Sequence, residues 1–164
     1  MNINDSVYKR EERAVFALRS LYQSYGYSKY KMSKFEEYDL YVRNKDFLIS
    51  DSIITFTDTN GKLLALKPDV TLSIIKNTDD SAGVKKVYYN ENVYRVSKGT
   101  KTFKEIMQVG LECIGDIDDF CISEVITLAG KSLKTINSQS VLSISHLGIL
   151  SSVLNSSNLE KKKK

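Results

Sequence analysis

The chain has 164 residues, 41% hydrophobic and 27% charged, with one proline and eight glycines, which suits one globular domain and excludes a low-complexity or collagen-like chain. The net charge is +4, but residues 161–164 are four lysines, so the rest of the sequence is neutral and is a poor match for a polyanion such as tRNA or DNA. The two cysteines, Cys113 and Cys121, lack metal-ligand or CxxC spacing. The N-terminus has no signal-peptide core and no apolar run is long enough to span a bilayer, so the expected compartment is the reducing cytoplasm.

In chain order, the first expected element is a helix over 7–25. Val7, Val15, Leu18, Leu21, Tyr22 and Tyr25 fall near helical spacing, Asp5 or Ser6 can cap its start, and Gly26 can end it. An extended stretch over 27–32 follows, and 35–42 is ambiguous between helix and strand. Runs at 53–59 and 62–67 flank Asn60-Gly61, a pair that predicts a two-residue hairpin with both turn positions at positive φ. Pro68 pushes Lys67 to an extended conformation, and a short helix is expected after Asp69. Strands over 84–97 and 103–114 are separated by the loop KGTK. A helix over 117–136 carries Ile122, Val125, Ile126, Ala129, Leu133 and Ile136 on one face. A short strand over 141–145 precedes a last helix from His146 or Leu147. The expected fold class is α+β, an antiparallel sheet with flanking helices. The expected organisation is one domain over 1–160 and a lysine tail over 161–164.

The strand over 103–114 carries the most chemistry. Strand side chains alternate between faces, so Met107, Val109, Leu111 and Cys113 share an apolar face that must meet helices. Ile106, Gln108, Gly110 and Glu112 share the other, and a glycine inside a strand marks a bulge or a close approach. If the neighbouring strands pair, Asp69, Thr71, Arg95, Gln108 and Glu112 line one polar pocket. An arginine forks onto a carboxylate, Asp and Gln accept from an ammonium, and Glu112 accepts from a ring nitrogen. That set suits an amino acid with a basic or imidazole side chain. The same residues have structural readings: Arg95 and Glu112 as an ion pair, Asp69 as a helix cap. Lys98, Lys101 and Lys104 read as a solvated turn, and the single histidine, His146, as a helix-start residue. No metal or cofactor motif is visible.

The stretch YRVSKGTKTFKEIMQVGLECIG resembles the second signature motif of class II aminoacyl-tRNA synthetases in its histidyl form. LALKPDVT resembles the Leu-Arg-Pro-Glu-Gly-Thr segment of that family, GYSKYKMSKFEEYDLY its first motif (with Met32 or Ser33 where a proline is usual), and SHLGIL a Gly-His-x-Gly-like segment of the regulatory relatives. The matches are collinear over about 8–154. The resemblance implies a partial class II synthetase-like fold. It also implies histidine-binding roles: Asp69 and Thr71 toward the amino group, Arg95 toward the carboxylate, Gln108 toward the ammonium and Glu112 toward the imidazole.

The departures point away from aminoacylation. Synthetases of this type carry a glutamate shortly after the motif arginine to hold adenine, followed by Arg-Pro; here the sequence reads Val96, Ser97, Lys98, Gly99, in a loop one residue shorter. Asp69 stands for the usual Glu and Val70 for the usual Gly. A third motif, a histidine-specific segment and an anticodon domain are absent from these residues. The implied branch is therefore the regulatory subunit of ATP phosphoribosyltransferase, not itself catalytic. It would need no cofactor, have the catalytic subunit as partner and histidine as effector, and form a homodimer or hetero-oligomer, with no membrane or nucleic acid. The expected self-association surface is the 7–25 helix with the strand after it. The alternatives are the N-terminal part of a divergent histidyl-tRNA synthetase, or a stand-alone histidine-binding or dimerisation module.

Overall fold

The computed structural model describes residues 7–43, 53–78, 83–97 and 99–156. The first helix, α1 (Arg10–Ser24), starts three residues later than expected, where Glu12 Oε2 turns back to accept from Lys9 N at 2.8 Å. Asp5 and Ser6, the expected caps, lie outside the described residues. Val15, Leu18 and Tyr22 form the buried stripe, while Val7 is exposed. Gly26 ends the helix as expected: at φ 81° it lets Tyr27 N bond back to Tyr22 O at 3.1 Å.

The chain then runs extended through β1 (Ser28–Lys29), pairing parallel with a strand far along the sequence. The ambiguous stretch resolves as both forms: β2 (Phe35–Glu37) passes directly into α2 (Tyr38–Arg43). The hairpin around Asn60-Gly61 is β3 (Thr55–Thr57) and β4 (Leu63–Leu66), but its turn is not the expected two-residue one. Thr57 faces Leu63, and only Gly61 takes positive φ. Asp58 decides this, because its Oδ1 accepts from both Asn60 N and Lys62 N at 2.8 Å and holds a wider loop closed. These strands form a small sheet in the order β2-β4-β3. After Pro68 comes α3 (Thr71–Lys76).

The larger sheet has the order β1-β5-β6. Its body is a long antiparallel ribbon of β5 (Val84–Val96) and β6 (Phe103–Gly115), paired without a break from Val84↔Gly115 to Val96↔Phe103. Facing residues share a side, so the register sorts the ribbon into two faces. Tyr88, Val109 and Leu111 meet Leu18 and Tyr22 of α1 and Leu128 of α4 (Asp119–Ile136). Asp118 caps α4 by accepting from Cys121 N at 2.8 Å. Val87 and Val93 lie on the opposite face, packed on Val70 and Ile74. Met107, expected on the helix-packed face, is 50% exposed, and no helix among the described residues packs on it.

One further expectation fails. Residues 141–145 form no strand: with no ladder partner among the described residues, Val141 and Ile144 stay exposed. The apolar stripe of α1 packs against α4 and the sheet, while Phe16 on the same helix stays exposed. The last helix, α5 (Leu147–Ser156), begins after His146 as expected and buries no residue. No helix among the described residues is long and apolar enough to cross a membrane.

Candidate functional site: the polar face of the β5–β6 ribbon

The segment from Lys67 to Thr71 joins β4 to α3 and is tied down across β5. Tyr94 N donates to Lys67 O at 2.9 Å, and Arg95 Nε donates to Pro68 O at 2.9 Å. These bonds carry Asp69 and Thr71 to the ribbon face that holds Tyr89, Glu91 and Arg95 on β5 and Gln108, Gly110 and Glu112 on β6.

Each expected site residue has a place here. Glu112 accepts from Thr71 Oγ1 at 2.6 Å. Burial pushes the Glu112 carboxyl above its ordinary range; the Thr71 hydroxyl opposes that shift and the Asp69 charge adds to it. Asp69 Oδ2 lies 3.8 Å from Arg95 Nη2, while Asp69 Oδ1 accepts from Leu72 N at 3.3 Å, so Asp69 is both a helix-start acceptor and an ion-pair partner. Gln108 is half-buried directly across from Glu91, and its side chain makes no hydrogen bond among the described residues. The Arg95–Glu112 ion pair does not form. Arg95 faces Lys104 in the ladder, whereas Glu112 faces Val87, eight positions back along β5.

The close approach expected at Gly110 is made by a side chain. Tyr89, its ladder partner, lays its ring across the glycine, and a Cβ at position 110 would stand 2.6 Å from Tyr89 Cζ. The Tyr89 hydroxyl is pushed up to about 12 by burial and by the nearby Glu112 and Asp69 charges.

Sequence reasoning missed three contributors. Lys67 is fully buried and its Nζ meets Glu91 Oε2 at 3.1 Å. Glu36, on β2, is buried and accepts from Tyr41 Oη at 2.7 Å and from Ser73 Oγ, fixing α3 on the small sheet. A signal existed for Glu91: folding the two strands symmetrically about the KGTK loop places it opposite Gln108. Nothing in the sequence signalled burial of Lys67, which depends on the segment after β4 being laid across β5. Around that loop Lys101 and Lys104 are exposed, as a solvated turn requires, and Lys98 lies outside the described residues.

The face offers donors and acceptors converging from three segments. Arg95 Nη2 is buried and has no hydrogen-bond partner among the described residues, since 3.8 Å to Asp69 is too long for one. A buried guanidinium donor of this kind calls for an acceptor.

An antiparallel ribbon with the arginine on one strand and Gln-x-Gly-x-Glu on the next, backed by helices, is a class II aminoacyl-tRNA-synthetase-like architecture. The chain belongs to the histidyl-tRNA synthetase family, whose sequence profile matches residues 2–164. A histidine–tRNA ligase of Archaeoglobus fulgidus is 30% identical over 142 residues, covering 84% of this chain and 35% of that protein. An ATP phosphoribosyltransferase regulatory subunit of Oceanobacillus iheyensis is 27% identical over 154 residues, 92% of this chain and 38% of that protein. A crystal structure of an ATP phosphoribosyltransferase regulatory subunit/histidyl-tRNA synthetase from Bacillus halodurans matches with TM-score 0.64 at 25% identity, over 84% of this chain and 36% of that one. The chain thus spans little more than a third of the length of these relatives. Relatives of both kinds match at similar identity.

Proposed function

We propose that this chain is the histidine-sensing part of a cytoplasmic regulatory subunit of ATP phosphoribosyltransferase, without catalytic activity of its own. Free histidine would sit on the polar face of the ribbon, where Arg95 receives its carboxylate, Asp69, Thr71 and Gln108 its amino group, and Glu112 its imidazole. The observation that carries this reading is the buried Arg95 Nη2 left without a hydrogen-bond partner beside acceptor groups suited to an ammonium. Ser97 supports it: two residues beyond Arg95 there is a hydroxyl in place of the carboxylate that adenine binding requires in synthetases. The regulatory-subunit relative supports the choice of partner, the catalytic subunit. The function needs no nucleic acid. Feedback of this kind is a coupling free energy between two sites, typically about 1–3 kcal/mol.

The test is a thermal-shift series. A ligand that binds only the folded state stabilises it by mass action, by about 2.7 kcal/mol at a hundredfold excess over Kd. Millimolar histidine should raise Tm while alanine and leucine do not, and Glu112→Gln should reduce the shift. An unchanged shift in a folded Glu112→Gln protein would place histidine elsewhere. In a binding assay the chain should retain the catalytic subunit of ATP phosphoribosyltransferase.

A second reading, part of a divergent synthetase, is favoured by the 30% identity to a histidine–tRNA ligase. Histidine-dependent exchange of pyrophosphate into ATP above background would establish it and remove the first.

A further inference from the structure

The outer strand of the larger sheet, β6, is 13 residues long, and among the described residues no strand pairs with its far side. The ladder shows which groups that edge offers. Tyr94 N donates to Lys67 O at 2.9 Å and Tyr30 N donates to Tyr88 O at 2.8 Å, so Tyr88 and Tyr94 turn their backbone groups away from β6. Their ladder partners, Leu111 and Glu105, therefore turn theirs away from β5, and the alternation adds Met107, Val109 and Cys113. None of these residues has another backbone partner among the described residues. No proline interrupts the strand, and between Glu105 and Gly115 only Glu112 is charged. An open edge of this kind is a template for a further strand.

We propose that the β6 edge is an interface between two copies of this chain: the two β6 strands pair antiparallel about a twofold axis at Gln108, and the partner's Lys104 comes to lie beside Glu112 on the polar face. Charge sets the register. With the axis at Gln108, Lys104 stands opposite the partner's Glu112 and Glu112 opposite the partner's Lys104, four residues to either side. Moving the axis by one residue sets Glu112 opposite Ile106 or Thr102 and loses both pairs. These are the closely spaced, non-hydrogen-bonded positions of the new ladder, with Cα atoms about 4.5 Å apart, where opposite charges stabilise and like charges repel. Gln108, whose side chain has no hydrogen bond within the described residues, meets its own copy, an amide that both donates and accepts. On the other face the exposed Met107 meets the partner's Val109. A strand from a different protein would not require Lys104 and Glu112 to stand symmetrically about an unpartnered amide; a second copy does. The pairing is independent of what the polar face binds, so its failure leaves the histidine reading standing.

Sedimentation equilibrium of the unaltered chain at micromolar concentration should give a dimer. Lys104 is exposed, so Lys104→Glu should fold. It sets like charges opposite each other at both ends and should raise the dimer Kd at least about tenfold, a factor equal to about 1.4 kcal/mol. Gln108→Cys tests the register. Only the residue on the axis faces its own copy, so oxidation with diamide should link two chains through position 108, whereas Ile106→Cys, opposite the partner's Gly110, should stay unlinked. In the unaltered dimer the amides of Met107, Val109 and Leu111 should exchange slowly with solvent deuterium, as those of Gln108 and Gly110 do inside the ribbon. A monomer, a dimer in which the first three amides exchange freely, a dimer that Lys104→Glu does not weaken, or a folded Gln108→Cys protein that does not link overturns the proposal. If Gln108→Cys does not fold, the exchange pattern and the Lys104→Glu response decide.

Discussion

The two faces of the β5–β6 ribbon use the same backbone ladder for opposite ends. On one, Tyr88, Val109 and Leu111 close against Leu18, Tyr22 and Leu128, and tyrosine hydroxyls are paired at the margin, Tyr22 Oη with Ser132 Oγ at 3.0 Å and Tyr27 Oη with Glu124 Oε1 at 3.1 Å. On the other, Val87 and Val93 anchor α3, but between them lie Tyr89, Glu91, Gln108 and Glu112, half-buried and facing the Lys67–Thr71 segment. The first face gains stability from apolar area removed from water. The second gives part of that up, holding charged groups partly desolvated and one guanidinium donor unmatched. The difference teaches that the candidate site sits where burial is incomplete, on the ribbon face one residue out of phase with the one packed on α1 and α4.

The largest expected effect lies on the apolar face. Leu128 is fully buried, and Leu128→Ala should destabilise the protein by about 2–5 kcal/mol in urea denaturation. The ligand shift of the surviving folded fraction should be unchanged; a lost shift would show that the two faces are not separable. Gly110→Ala comes next. The added methyl meets the Tyr89 ring, and forced repacking should cost about 1–3 kcal/mol. Tyr89→Ala in the Gly110→Ala background should recover part of that loss, and no recovery would mean that another contact sets the glycine requirement.

A smaller effect concerns pH on the polar face. Burial raises the folded-state pKa of Glu112 above its unfolded value, so the folded protein holds that proton longer. The Glu112 contribution should therefore decline as pH rises from the ordinary carboxylate range to the raised folded value. Glu112→Gln keeps an acceptor for Thr71 and should flatten this slope in chemical-denaturation curves taken across that range. Asp118 gives the opposite sign: its carboxyl is lowered by bonding the Cys121 backbone N–H, so its support for α4 should be lost as pH falls. The smallest effect is at the exposed pair Lys62–Glu37, 2.7 Å apart, where Lys62→Ala should leave the denaturation midpoint unmoved. A clear loss there would mean that the small sheet contributes to the polar face more than its buried contacts indicate.

Much of the fold was legible because its signals are local. The spacing of Val15, Leu18 and Tyr22, the helix-ending Gly26, and the two strands about the KGTK loop all depend on near neighbours. The hairpin at Asn60-Gly61 was legible as a hairpin but not as a turn, since the Asp58 side chain competes with the two-residue geometry. The strand expected over 141–145 failed because a strand needs a partner, and apolar pattern alone does not supply one.

By itself, then, the sequence determined the α+β class, the order of the two long strands and the helices flanking them, the alternation that puts Gln108 and Glu112 on one side of β6, and the motif order that marks the family. Only the tertiary structure decided which charge meets which. Arg95 pairs with Asp69 and not Glu112, Lys67 is buried against Glu91, and Tyr89 fills the space above Gly110. The reason is that periodicity assigns a residue to a face, while partner choice depends on strand register and on the path of the segment from Lys67 to Thr71 across it. Both are set by contacts between residues far apart in the chain.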